Sequence, residues 1–210
     1  QQAEAYSDKN NEKIAVYRAS GDLNLALVGE NTVDALGGGS AASCGINLGN
    51  GSLSISGENS AALTVYGGPT EHGNSCGIYA NGTITIDSGT VTVTGESASA
   101  ASYGIDAGGA VTIEDGTVNA TSGKAGGNSV GIYTLNSVTI NGGDVTATAG
   151  DAVGSSYGIN TANISTSITV NGGTVTATTG EAKGDSCAIF AERQINADDA
   201  SSSVTINGGT

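Results

Sequence analysis

The sequence predicts an all-β protein, a right-handed parallel β-helix with three-strand coils of about 27 residues per coil. The first observation is a four-residue phrase, Ser followed by a variable residue, Gly or Ala, and Ile, which recurs along most of the chain. The second is that four consecutive copies are spaced by 27 residues, a period typical of solenoids, whose repeats bury each other's apolar side chains. The copies begin at Ser43, Ser75, Ser102, Ser129, Ser156 and Ser186.

Each repeat contains three short runs that alternate apolar and polar residues and are separated by turn residues. Alternation with period two places the apolar side chains of a run on one face, so we expect each coil to be a triangle of strands around a shared core. We expect right-handed coils because crossovers between parallel strands almost always have that hand. In residues 102–128 the predicted core residues are Ile105, Val111, Ile113, Val118 and Ala120.

The two ends of the chain depart from the repeat pattern. Residues 1–21 are richer in charge than residues 22–210, and we expect them to cap the β-helix, because an uncovered sheet edge recruits other strands. At the other end, residues 207–210 follow a second-strand run without a third, which predicts an incomplete C-terminal coil. An open coil of this kind offers an edge for self-association.

Charge and composition argue against several function classes. The chain has 20 acidic and 6 basic residues, a formal charge of −14, whereas nucleic-acid binding needs clustered Lys and Arg. No apolar stretch approaches the roughly 18 residues of a membrane span, so we expect no membrane insertion. No basic residue is predicted on the first-strand face, and His72 stands alone in a turn, so neither the base of a polysaccharide lyase nor another catalytic group is indicated. We therefore expect no enzyme activity.

The three cysteines occupy the same offset in three repeats and match no metal-site spacing. Cys44 and Cys76 are predicted to lie one coil apart, within the Cα distance that a disulfide spans, so the sequence allows either a bridge or two free thiols. Cys187 is several coils away and is predicted to be a free, buried thiol.

The candidate binding residues form a column in which large rings alternate with small polar groups. Rings two coils apart are about 9.6 Å apart by strand spacing, on the order of the disaccharide repeat of an extended β-linked glycan. Sugars stack on such rings, and polar residues between the rings can bond hydroxyl groups. The column begins at Asn47 and continues with Tyr79, Asp106, Tyr133, Asn160 and Phe190.

The same alternation predicts the surroundings of this column. We expect the serines of the phrase to face outward beside a lane of glycines, which another backbone or a flat ligand can approach closely. Tyr103 and Tyr157 are expected to fill an inward column on alternate coils. This leaves a second interpretation, in which Tyr79 and Tyr133 only fill space and balance bulk between the columns.

A different surface, on the third strand, carries outward threonines in ranks. The array resembles the flat threonine faces of β-helical ice-binding proteins, but threonine is also a favoured residue on any exposed strand. Asn119 and Asp144 interrupt the ranks, which makes ice binding a weaker prediction.

Several phrases resemble the repeats of secreted bacterial β-helix proteins, some of which are described as carbohydrate-binding domain proteins. The phrases are residues 83–86, 137–143 and 170–178, and each follows a Gly-Ile turn. The resemblance covers roughly residues 22–210. It implies a bacterial protein, secreted or on the cell surface, that binds plant or host polysaccharide, with calcium as a possible cofactor. Calcium prefers clustered oxygens, and the acids here are mostly dispersed, with the densest pairs at Glu114-Asp115 and Asp198-Asp199.

Together these features predict a non-catalytic extracellular protein, an adhesin or a carbohydrate-binding module. The alternative is a structural stalk that spaces another domain from the cell and binds no ligand.

Overall fold

The computed structural model describes residues 6–7, 13–35, 40–58, 60–163, 165–192 and 202–208. Within these residues the chain is an all-β parallel solenoid of about six turns, with three sheets and no helix. This confirms the predicted fold class and is consistent with right-handed three-strand coils.

The described strands are short, and most coils contain three of them. In chain order they are β1 (Tyr6–Ser7), β2 (Lys13–Ser20), β3 (Leu23–Leu27), β4 (Glu30–Asp34), β5 (Ser43–Asn50), β6 (Leu53–Gly57), β7 (Ala62–Tyr66), β8 (Ser75–Ala80), β9 (Ile84–Ile86), β10 (Thr90–Gly95), β11 (Ser102–Ala107), β12 (Val111–Ile113), β13 (Thr117–Ser122), β14 (Ser129–Thr134), β15 (Val138–Ile140), β16 (Asp144–Thr148), β17 (Ser156–Thr161), β18 (Ser167–Val170), β19 (Thr174–Thr178), β20 (Ser186–Ala191) and β21 (Ser203–Ile206).

Every third strand belongs to the same sheet. The first sheet has the order β1-β2-β5-β8-β11-β14-β17-β20, the second runs from β3 to β21, and the third runs from β4 to β19. Neighbouring strands pair in parallel, apart from β1, which pairs antiparallel with β2. The register stacks equivalent residues, so that Ile78, Ile105 and Ile132 form one file.

The core is built from small apolar side chains of all three sheets. Ile78, Ile105 and Ile132 are fully buried, as the repeat predicts, and they contact the valines and alanines of the other two sheets in one continuous cluster. Burial of one such side chain contributes about 1.5–3 kcal/mol, and the same contribution recurs in each coil. A core of repeated layers therefore replaces the large aromatic residues of a globular core.

The serines of the repeated phrase lie inside the coil, and the prediction that they face outward is wrong. Ser75, Ser102 and Ser129 are fully buried. The strand register omits the glycine of each phrase, so strict alternation breaks at that residue and the serine turns inward. The glycines also face inward, because a Cβ on Gly77 would collide with the core side chain of Val93. The surface lane of glycines is therefore absent from these coils.

The buried serines join the turn after the third sheet to the start of the first sheet. The Ser102 hydroxyl donates to the Glu96 carbonyl at 2.8 Å and accepts from the Gly123 N–H at 2.9 Å, which belongs to the next coil. The Ser129 hydroxyl repeats this arrangement with Gly123 and Gly150. Each hydroxyl thus satisfies backbone groups of two successive turns.

At the two ends, the structure describes part of the segments that the sequence singled out. Strand β2 lies within residues 1–21 and pairs with β5, so the first sheet begins inside the predicted cap, and β1 lies at its edge. At the other end, β21 leaves Val204 46% and Ile206 66% exposed. Self-association at that edge stays a prediction, and residues 209–210 lie outside the described residues.

Candidate binding face

The outer face of the first sheet carries two neighbouring columns of side chains. The column of predicted binding residues, here called the Tyr133 column, stacks Tyr79, Asp106, Tyr133, Asn160 and Phe190, one per coil. The neighbouring column, here called the Tyr157 column, comes from the residue before the phrase glycine. It contains Cys44, Cys76, Tyr103, Val130, Tyr157 and Cys187.

The prediction that Tyr103 and Tyr157 point inward is wrong. Their rings lie on the outer face and contact rings of the Tyr133 column one coil further along. The Tyr103 and Tyr133 ring centroids are 5.3 Å apart with planes at 43°, and those of Tyr157 and Phe190 are 5.1 Å apart at 12°. The cause is again the bend at the phrase glycine, which puts the residue before it on the outside.

Bulk alternates between the two columns from coil to coil. Where the Tyr157 column has a tyrosine, the Tyr133 column has a small polar residue, and the coils between them reverse this order. The pairs along the axis are Cys76 with Tyr79, Tyr103 with Asp106, Val130 with Tyr133, Tyr157 with Asn160, and Cys187 with Phe190. The surface therefore repeats every two coils, whereas the backbone repeats every coil.

A cleft of about 320 Å³ opens where Val130, a small residue of the Tyr157 column, adjoins Asn160, a small residue of the Tyr133 column. Its volume is at the lower end of the range for small-molecule sites, about 300–1,000 Å³. Both ring pairs, together with Val130 and Asn160, line the cleft. Two carboxylates join the lining at the ends of β20, with Asp185 directly before this strand and Glu192 directly after it.

Asn160 is the most unusual residue in the cleft. Its side chain is 5% exposed, and its Oδ1 atom has no hydrogen-bond partner. Buried polar atoms are nearly always paired in native proteins, because an unpaired acceptor loses its hydration without compensation. The Asn160 amide oxygen is therefore an acceptor that lacks a donor, on a residue that lines the cleft.

Asp106 lies between Tyr79 and Tyr133 in the same column. Burial raises the pKa of its carboxyl from the ordinary 3.8 to about 7. Burial likewise raises the pKa of the Tyr79 and Tyr133 hydroxyls, and the Asp106 charge raises both further. The carboxyl and the phenols around it therefore share a poorly hydrated stretch of surface.

The cysteines differ in part from the prediction. Cys44 and Cys76 stack in register as free, buried thiols, and they pack with Ile14 beside Tyr79 and Tyr103. The pKa of the Cys76 thiol is raised, mainly by a hydrogen bond with Cys44 and secondly by burial. Cys187 is also free, but it is partly exposed rather than buried, because it stands on the outer face of the last first-sheet strand that the structure describes.

Of the other sequence candidates, those that the structure describes lie away from this face. Among the described residues, no group of three or more His, Cys, Asp or Glu side chains is placed to hold a metal ion. Asp198 and Asp199 lie outside the described residues, so calcium binding there stays a prediction. The ranks of third-strand threonines lie on the third sheet, and His72 is exposed in a turn. No helix in the described part of the chain is long and apolar enough to cross a membrane.

Sequence reasoning identified the Tyr133 column and the neighbouring column of Tyr103 and Tyr157, but it pointed the latter inward and did not place Val130 or Asp185 beside them. Tyr103, Val130 and Tyr157 are all the second residue of the phrase. This shared position predicts an outward column only if the chain is known to bend at the phrase glycine. Asp185 immediately precedes the phrase serine, a position that the repeat also marks. Contacts between rings of successive coils leave no such signal in a single repeat.

Comparison with known proteins supports the fold. Residues 111–132, 138–159 and 168–189 match a protein family described as a beta helix repeat, and each segment runs from a second-sheet strand to the next first-sheet strand. Comparisons with curated proteins and with solved structures found no match. The match covers less than half of the chain, and together with the three-sheet coils it shows a parallel β-helix fold.

Proposed function

We propose that the chain is a non-catalytic extracellular protein of a bacterial surface, an adhesin or carbohydrate-binding module that binds a polysaccharide on the outer face of the first sheet. The observation that supports this is the Tyr133 column, in which partly exposed rings recur every two coils with polar groups between them. Extracellular or cell-surface location is part of the proposal and rests on the resemblance to secreted β-helix repeats.

The column suits an extended glycan for two physical reasons. Rings two coils apart are about 9.6 Å apart, so successive rings can meet successive disaccharide units of one chain. Tyr79, Tyr133 and Phe190 offer apolar faces, and Asp106 and Asn160 offer oxygen atoms to sugar hydroxyls between them.

Neither column contains a basic residue, which supports a binding role over the base-dependent chemistry of polysaccharide lyases.

The alternative function is a structural stalk without a ligand, and the contacts between rings are the observation that favours this alternative. Tyr103 with Tyr133 and Tyr157 with Phe190 cover part of each other's surface, as packing alone would require.

Retention on insoluble polysaccharides tests the proposal. We expect the full chain to be retained by at least one polysaccharide, and Tyr79→Ala, Tyr133→Ala and Phe190→Ala each to weaken binding about tenfold, since each removes one stacking ring. Tyr66→Ala is the matched control, because Tyr66 is 36% exposed on the third sheet.

Thermal unfolding of each variant separates loss of binding from loss of fold. A ring pair contributes about 0.5–1.5 kcal/mol, so we expect the variants to stay folded at the binding temperature. Failure of the unaltered chain to bind any polysaccharide, or an equal loss in Tyr66→Ala, contradicts the proposal and favours the stalk.

A further inference from the structure

We propose that the cleft at Asn160 binds the protonated amine of an amino sugar, so that the preferred polysaccharide is cationic. This inference rests on the proposed function and names the class of glycan. It is carried by the shape of the cleft, its unpaired acceptor and the charges along it.

The cleft, about 320 Å³ in volume, lies by Tyr133 and Phe190, which belong to the same column with the smaller Asn160 between them. Tyr157 already stacks on Phe190 from the Asn160 coil, so a ligand lies against these rings rather than between Tyr133 and Phe190. Val130 lines the same cleft from the Tyr157 column and is 1% exposed.

The unpaired acceptor specifies a hydrogen-bond donor. Asn160 lines the cleft, and its Oδ1 is buried without a hydrogen-bond partner. An N–H or O–H donor that reaches this oxygen from the cleft satisfies it. In contrast, the Asn128 Oδ1, which also belongs to a cleft residue, already accepts from the Ser155 N–H at 2.9 Å.

The charges along the cleft specify a cation. The carboxylates of Asp185 and Glu192 line it, and the Tyr157 hydroxyl donates to Asp185 Oδ2 at 3.4 Å. Among the residues that line the described cleft there is no lysine, arginine or histidine. Aromatic faces attract an ammonium group, and carboxylates form strong hydrogen bonds with it, whereas an acidic sugar would meet repulsion here.

The cleft also continues a column that can accommodate a longer chain. Tyr79 and Asp106 follow below Tyr133 on the same face, so a polysaccharide that places one ring in the cleft can lie along the next two coils. This continuity favours an amino sugar within a glycan over an isolated amine.

The test compares a β-1,4-linked glucosamine hexamer with its N-acetylated counterpart, by titration calorimetry on the full chain at pH 5.5 and constant ionic strength. The two hexamers have the same backbone, and only the first carries ammonium groups. We expect the glucosamine hexamer to bind about tenfold more tightly.

Variants locate the effect. Asp185→Asn/Glu192→Gln is expected to remove most of the preference for the glucosamine hexamer, and Asn160→Ala to weaken its binding severalfold. The control Asp144→Asn/Glu71→Gln makes the same change in net charge at exposed positions away from the cleft, and we expect less than about a twofold effect. Circular dichroism verifies that each variant is folded.

The outcomes distinguish the two proposals. Equal affinity for both hexamers, or binding of neutral polysaccharides alone, overturns the amine assignment and leaves polysaccharide binding in place. Tighter binding of a lysine-rich peptide than of the glucosamine hexamer also overturns it, because the cleft then recognises a protein. Absence of binding to every polysaccharide overturns both.

Discussion

At the scale of single residues, Asp106 shows how a small change of environment alters the chemistry of this surface. Its neighbours are phenols and a thiol, namely Tyr79, Tyr103, Tyr133 and Cys76, and none of them supplies a positive charge. Burial without a cation disfavours the carboxylate, and its pKa rises to about 7. The charge of this coil therefore changes near neutral pH.

The raised pKa predicts a pH-dependent stability. The folded chain keeps the Asp106 proton up to about pH 7, whereas the unfolded chain releases it near the ordinary pKa of 3.8, so the folded state binds more protons between these values. The free energy of unfolding should therefore fall as pH rises through this window, by on the order of 3 kcal/mol. Urea unfolding at pH 4.5 and pH 8.0 measures the change.

Asp106→Asn isolates this contribution, because the amide is neutral at both pH values. We expect the variant to lose less stability than the unaltered chain between pH 4.5 and pH 8.0, whereas the exposed control Asp144→Asn should follow the unaltered chain. Parallel pH profiles for the unaltered chain and Asp106→Asn would contradict the assignment.

At the scale of the strand, the repeated phrase explains both the success and the error of sequence reasoning. The isoleucine file was predictable because its spacing is regular and its burial follows from alternation. The inward direction of the phrase serines was not predictable, because the bend at the phrase glycine breaks the alternation of side chains within a single strand. The bonds between turn amides and serines of the neighbouring coil recur with the repeat, but the sequence does not show which residues they join.

The buried serines predict a measurable loss of stability on substitution. Ser129→Ala removes the acceptor of the Gly150 N–H and the donor to the Gly123 carbonyl, and both groups lie in turns close to the core. We expect a loss of about 1–3 kcal/mol in urea unfolding. Ser99→Ala, at an exposed turn position, should change stability by less than about 0.5 kcal/mol. A similar small effect at Ser129 would show that these bonds contribute little.

At the scale of the whole molecule, the structural repeat and the surface repeat have different lengths. One coil suffices to continue the core, but two are needed to restore the same arrangement of rings and polar residues. The fold was predictable from one repeat, whereas the cleft depends on contacts between Tyr103 and Tyr133, and between Tyr157 and Phe190, in successive coils. Sequence periodicity alone contains no information on such contacts.

Deletion of whole coils tests this difference. Removal of residues 102–128 joins equivalent positions, and we expect a folded but less stable β-helix in which the rings of Tyr79 and Tyr133 occupy adjacent coils. Removal of residues 102–155 deletes two coils and preserves the alternation, because Tyr157 with Asn160 then follows Cys76 with Tyr79. Circular dichroism and thermal unfolding monitor the fold in both deletions.

The two deletions should differ at the surface. The one-coil deletion keeps Val130, Tyr133, Asn160 and Phe190, whereas the two-coil deletion removes Val130 and Tyr133. We therefore expect the two-coil deletion to bind polysaccharide less tightly, although it preserves the alternation of rings and polar residues. Aggregation or loss of β-structure in both variants would contradict the assumption that each coil is an interchangeable unit.

The bend at the phrase glycine separates the positions that maintain the interior from those that face a ligand. In the phrases that begin at Ser43 to Ser156, serine, glycine and isoleucine lie inside the coil, while the second residue and the residue after isoleucine differ from phrase to phrase. Substitution of these two residues in each coil therefore changes the binding surface without changing the core. Chains with the same scaffold can in this way recognise unrelated sugars and still fold alike.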